Sequence, residues 1–140
     1  MEDSEADEIP NRKVAIMKTV HTNQAPAAIG PYSQAMIANG FLFTSGQVAI
    51  SPETGKVVAD TIEEQAEQCC RNIQMILQEA GLTFEDVVKT TCFLSDMKNF
   101  APFNTVYGKH FSSQPARSCV AVKELPMCVL CEIEVVAAMK

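Results

Sequence analysis

The stretch from Thr61 to Ala80 constrains the fold more than any other. Ile62, Ala66, Cys69, Cys70, Ile73, Ile76, Leu77 and Ala80 recur at the helical period and form a single apolar stripe. A helix striped on one side must lay that side on something, and the rest of the chain offers mostly strands. Thr61 with Glu64 fits a capping box, with Asp60 as the other candidate cap, and Gly81 supplies a C-terminal stop. Glu67 and Arg71 are spaced for a surface ion pair. Cys69 and Cys70 lie in the stripe and read as small buried hydrophobes.

Three β-rich segments precede this helix: Val14–Val20, Gln34–Ala38 and Phe41–Ile50. The last two meet at Asn39-Gly40, a dipeptide whose tolerance of positive φ marks a tight hairpin. Ala25 to Tyr32, punctuated by Pro26, Gly30 and Pro31, reads as an irregular loop, and Ser51 to Gly55 as a turn. After the helix come a strand at Val87–Leu94 and a second helix at Phe100–Phe111, with Pro102 tolerated in its first turn. Strands at Arg117–Val122 and Val129–Ala137 close the chain. The expected class is α+β, one mixed sheet with two helices packed on one face. The other face would then carry exposed apolar residues, which predicts an intersubunit surface without fixing its symmetry.

The 140 residues are enough for one domain. Glu2, Asp3, Glu5, Asp7 and Glu8 supply most of the net charge of −6, so residues 1–13 read as an acidic, solvated tail and 14–140 as the domain. Without a basic stripe, no nucleic-acid partner is expected. The head resembles neither a signal nor a transit peptide, and no apolar run approaches the ~20 residues of a membrane span. A cytoplasmic protein with reduced cysteines is therefore expected. Cys128 and Cys131 form a CxxC, but residues three apart on a strand point to opposite faces, and no second ligand pair accompanies them. No metal is expected. The glycines are scattered as turn residues rather than gathered in a phosphate loop, and His21 and His110 stand outside metal-ligand spacings. His110 ends a helix, where it suits the dipole.

Polar residues inside the closing strands are the candidates for chemistry. Alternation puts Arg117 and Cys119 on one face of their strand, and Glu132 and Glu134 together on one face of theirs. An exposed sheet edge or a mutual salt bridge would account for Arg117 and Glu132 without function. The chemical reading is specific: a guanidinium fork binds a carboxylate bidentately, and a carboxylate can orient water and move protons. Cys119 could act as a nucleophile, but no histidine stands near it in sequence to activate it.

The motifs Ala25-Pro26-Ala27-Ala28-Ile29-Gly30-Pro31-Tyr32-Ser33-Gln34-Ala35, Ser45-Gly46-Gln47, Val88-Lys89-Thr90-Thr91, Pro115-Ala116-Arg117-Ser118 and Glu132-Ile133-Glu134 resemble, in order and spacing, the RidA (YjgF) family. The likeness runs from about Lys18 to Ala138. It implies a chorismate-mutase-like fold, and a homotrimer with a central sheet barrel and sites between subunits. The implied activity is hydrolytic deamination of enamines and imines such as 2-aminoacrylate and 2-iminobutanoate, without cofactor. Arg117 would hold the substrate carboxylate and Glu132 would position water. Tyr32, Gly46, Asn104 and Cys119 match further substrate-binding positions. Met127-Cys128 departs from the family pattern, in which a basic or polar residue is followed by a small one. Other roles on such a fold would be a non-catalytic binding trimer, a chorismate mutase, an endoribonuclease or a thiol-triggered holdase. The second would need more cationic groups than Arg117 in the closing half, and the third sits poorly with the acidic charge.

Overall fold

The structure is a computed structural model and describes residues 17–140. The acidic head and the first three residues of the expected opening strand lie outside the described residues. The strands are β1 (Met17–Val20), β2 (Ala35–Ala38), β3 (Phe41–Thr44), β4 (Val87–Leu94), β5 (Ala116–Ala121) and β6 (Cys131–Ala138). The helices are α1 (Ile62–Glu79) and α2 (Phe100–His110).

All six strands join one sheet in the order β1-β2-β3-β6-β4-β5. Only β4 and β5 run parallel, and α2 supplies the crossover that a parallel pair requires. The β2–β3 hairpin turns through Asn39 (φ 50°) and Gly40 (φ 83°), the doubly positive geometry that Asn-Gly favours. Thr61 caps α1 by accepting the Glu64 N–H, and Gly81 (φ 77°) ends it.

The apolar stripe of α1 is the centre of the core. Cys69, Cys70, Ile73, Ile76 and Leu77 are fully buried against Cys131, Ile133, Val135 and Ala137 of β6, with Phe103 and Val106 of α2 alongside. Burying each large aliphatic side chain contributes about 2 kcal/mol. Glu67 pairs with Arg71 as its spacing predicts, and its other carboxylate oxygen takes His110 Nε2 at 2.9 Å. His110 thus ties the last turn of α2 to α1. Cys128 is exposed in a turn whereas Cys131 is buried beside Cys69, so the CxxC points its thiols apart.

Both helices lie on one face, leaving Phe41, Phe43 and Val120 more than two-fifths exposed on the other. The expected two-layer α+β architecture and its bare sheet face are therefore present.

Two boundaries differ from the sequence expectation by more than one residue, and hydrogen bonds explain both. β3 ends at Thr44 rather than Ile50. The Ser45 N–H still follows the β2 register to Gln34 O at 2.8 Å, but on the β6 side the Val135 N–H goes to Thr44 Oγ1 instead of a backbone carbonyl. Pairing with β6 resumes at Gln47, which exchanges both backbone bonds with Ile133. β6 starts at Cys131 rather than Val129 because the Leu130 N–H goes to the buried Gln65 side chain at 2.8 Å.

Buried amides hold the irregular segments. Gln34 exchanges hydrogen bonds with both backbone groups of Thr22 and donates to Pro26 O at 2.8 Å. Asn72 of α1 donates to the carbonyls of Val48 and Ile50.

Candidate active site

Arg117 stands on the edge strand β5, opposite Thr90 of β4 and on the helix side of the sheet. Its Nη1 donates to Asn104 Oδ1 at 2.7 Å. The guanidinium carbon lies 4.7 Å from the Tyr107 ring centroid and 5.5 Å from that of Phe100. Phe100, Asn104 and Tyr107 are spaced i, i+4, i+7, so one stripe of α2 braces this cation from three directions. Tyr107 OH is in turn bonded to Thr90 Oγ1 at 2.7 Å. Burial pushes the Tyr107 phenol up, only partly offset by that bond, so it stays neutral. Among the described residues, no carboxylate pairs with Arg117. The salt-bridge explanation for this arginine therefore fails there, and Arg117 lines an open cavity of about 510 Å³ with Gly108, Gln114 and Pro115.

Cys119 shares the Arg117 face, as alternation predicts, opposite Cys92. Burial pushes its thiol up while the Arg117 charge pulls it down by less, so the net direction is upward. That favours the neutral thiol, a poor nucleophile.

Glu132 lies on the opposite side of the sheet. In β6, Cys131, Ile133 and Val135 are buried under the helices, whereas Glu132 and Glu134 alternate onto the bare face. Its cross-strand partner is Phe93, on that same bare face. Between the Phe43–Val136 and Gln47–Ile133 pairings, Thr44, Ser45 and Gly46 stand against Glu134 and Val135, one residue more than their partners, which is a β-bulge. The Glu132 carboxyl fills the space the bulge opens. A Cβ built on Gly46 would sit 2.7 Å from Glu132 Cδ and 3.0 Å from its Cγ. Gly46 does not have positive φ, so its glycine character is about this close approach and not about backbone freedom. Among the described residues no acceptor takes the Gly46 N–H. Burial pushes the Glu132 carboxyl up, and the nearby Glu134 charge adds to this. Tyr32, half-exposed, borders the same cavity with Gly46 and Glu132.

The candidate residues thus fall into two half-sites. Arg117, Asn104 and Cys119 gather on the helix side, while Tyr32, Gly46 and Glu132 gather on the bare side. Within one chain Arg117 and Glu132 have the sheet between them. Sequence reasoning missed the bracing of Arg117 by Phe100, Tyr107 and Thr90. The i, i+4, i+7 spacing on α2 was the available signal, but it reads equally well as core.

Sequence comparison finds a family match over nearly the whole domain. The family described as Endoribonuclease L-PSP matches residues 22–139. The chain belongs to this family, the RidA (YjgF) family. A RutC family protein of Synechocystis is 52% identical over 126 residues, covering 88% of this chain and 97% of that protein. The crystal structure of the YjgF gene product of E. coli superposes with a TM-score of 0.82 at 42% identity, covering 88% of this chain and 99% of that one. E. coli TdcF, crystallised with bound serine, gives 0.83 at 39% identity over 88% and 99% of the two chains. The RidA fold assignment thus rests on both sequence and shape.

Proposed function

We propose that this RidA-family chain hydrolyses reactive enamines and imines of 2-amino acids to 2-keto acids and ammonia, in a site completed between copies of the chain. The observation that carries this reading is the Arg117 guanidinium, fixed by Asn104 and Tyr107 and free of any carboxylate partner among the described residues. A cation held this way is prepared for an external carboxylate. The serine bound to TdcF is a carboxylate-bearing molecule of suitable size.

Arg117 of one copy would grip the substrate carboxylate and set the C=N carbon against Glu132 of the next. A carboxylate whose pKa is raised by burial and by the Glu134 charge is a stronger base once ionised. With the substrate bound as its protonated imine, Glu132 takes a proton from water as the new C–O bond forms and the C=N pair passes to nitrogen. In the collapse of the carbinolamine Glu132 gives that proton to the nitrogen, the C–N bond breaks, and the hydroxyl proton leaves as the C=O forms and is carried off by the ammonia as ammonium. The Gly46 N–H is free to bind substrate beside the carboxylate. No cofactor is required by this scheme.

The separation of Arg117 from Glu132 by the sheet favours intersubunit sites, and the bare sheet face offers the contact surface. A homotrimer with a central barrel is the proposed assembly. Among the described residues, no helix is long and apolar enough to cross a membrane, and we place the protein in the cytoplasm.

The test is a coupled assay in which a PLP-dependent threonine or serine dehydratase generates the imine in the presence of semicarbazide. The chain should suppress semicarbazone formation, and Arg117→Ala should not. Failure of both across several precursors would leave a non-catalytic binding trimer as the reading.

A further inference from the structure

Beside Glu132 the bare side of the molecule holds an apolar recess of about 250 Å³. Ile29, Val48, Ile50 and Met127 line both this recess and the cavity that contains the Glu132 carboxyl, so the two are continuous. Pro26 and Pro52 close the far end. The walls are built firmly: Gln34 clamps the Pro26 carbonyl, and Asn72 clamps those of Val48 and Ile50. Met127 reaches the recess from a left-handed backbone (φ 57°), and Cys128 follows at φ 56°. Two consecutive non-glycine residues in that region are strained, and the strain holds an apolar side chain at the mouth.

We infer that this recess receives the substrate's aliphatic side chain, so that the chain prefers 2-imino acids with branched or extended aliphatic side chains, with Ile29 and Met127 as specificity-determining residues. This rests on the imine-hydrolase reading of the same site. The lining is mostly apolar, with Gln34, Gln47 and Ser51 its polar members, so it rewards aliphatic groups most: each methylene it buries strengthens binding about fourfold. A leucine-derived imine carries three more carbons than an alanine-derived one, enough to raise kcat/KM at least tenfold.

The experiment uses an L-amino-acid oxidase to generate imines from alanine, leucine and serine, with semicarbazide as competitor, and measures kcat/KM for each on the full-length protein. The expected leucine-to-alanine ratio is ten or more. Met127→Lys should lower that ratio about tenfold, and Met127→Leu should preserve it. Ile29→Asp, at a position 86% exposed in the single chain, provides a second variant that folding does not depend on, and should lower it likewise. A ratio near one, or a ratio unmoved by both charged variants, overturns the inference and leaves the recess to solvent or to a neighbouring copy. Hydrolysis of alanine-derived imine without side-chain preference would sink this inference alone. Absence of hydrolysis with every precursor would sink the imine-hydrolase reading with it.

Discussion

Replacing Gly46 by alanine isolates the role of the bulge. The new methyl would overlap Glu132 Oε2 and stand 2.7 Å from its Cδ, where ordinary carbon contacts begin near ~3.5 Å, so one of the two must retreat by more than ~1 Å. Backbone freedom is not at issue, because Gly46 does not have positive φ. The colliding atoms belong to the flexible end of a half-buried side chain, so the cheapest relief is for Glu132 to swing out. The stability cost should therefore fall at the low end of the ~1–3 kcal/mol typical of overpacking. The catalytic cost should be larger, since a misplacement of ~1 Å in a reacting group can lower the rate about 10²-fold. Thermal melting and the semicarbazone assay read the two effects separately. In a Glu132→Ala background, Gly46→Ala should change neither quantity further, which is the coupling a double-mutant cycle detects. An alanine variant with full activity, or one equally harmful with and without Glu132, would refute the idea that Gly46 exists to seat this carboxyl.

Other expectations follow from the same geometry. Arg117→Lys keeps the charge but loses the fork and the stacking on Tyr107, so kcat/KM should drop roughly a hundredfold with little change in Tm; wild-type activity in the lysine variant would contradict the bidentate role. Glu134→Gln removes a neighbouring negative charge from Glu132, so the acidic limb of the kcat/KM profile should move to lower pH, though not all the way, since burial is the larger cause of the raised pKa. For stability the sign is fixed: a carboxyl raised above its ordinary 4.5 disfavours the folded state once ionised, and stability is lost as pH rises through that window. Glu132→Gln should therefore melt higher than wild type at pH 7, and the gain should vanish near pH 4.

Much of this architecture was legible locally. The α1 stripe, the Thr61 cap and the Asn39-Gly40 turn are short-range signals, and the structure has each of them where the residues demand. The Phe41–Ile50 run reads as one strand because apolar residues continue through it, yet Gly46 within it signals a bulge. The face shared by Arg117 and Cys119, and the one shared by Glu132 and Glu134, come from alternation within a strand. That these two faces are opposite ones depends on register through β4, which pairs Thr90 with Arg117 and Phe93 with Glu132. Such register is set by contacts far apart in sequence and leaves no local trace. For the same reason the amide clamps of Gln34, Gln65 and Asn72 could not be read from the chain, since their partners are backbone groups of irregular segments.

The most direct test of a site shared between copies is complementation. Arg117→Ala and Glu132→Gln, each inactive alone, would be co-expressed with different tags, and mixed oligomers isolated by sequential capture. If Arg117 and Glu132 act from different copies around a closed three-membered ring, each mixed trimer carries one intact site in three and should restore about a third of wild-type imine hydrolysis. If mixed oligomers form and remain as inactive as either parent, the two residues do not complete one another across the interface, and the proposed site is wrong.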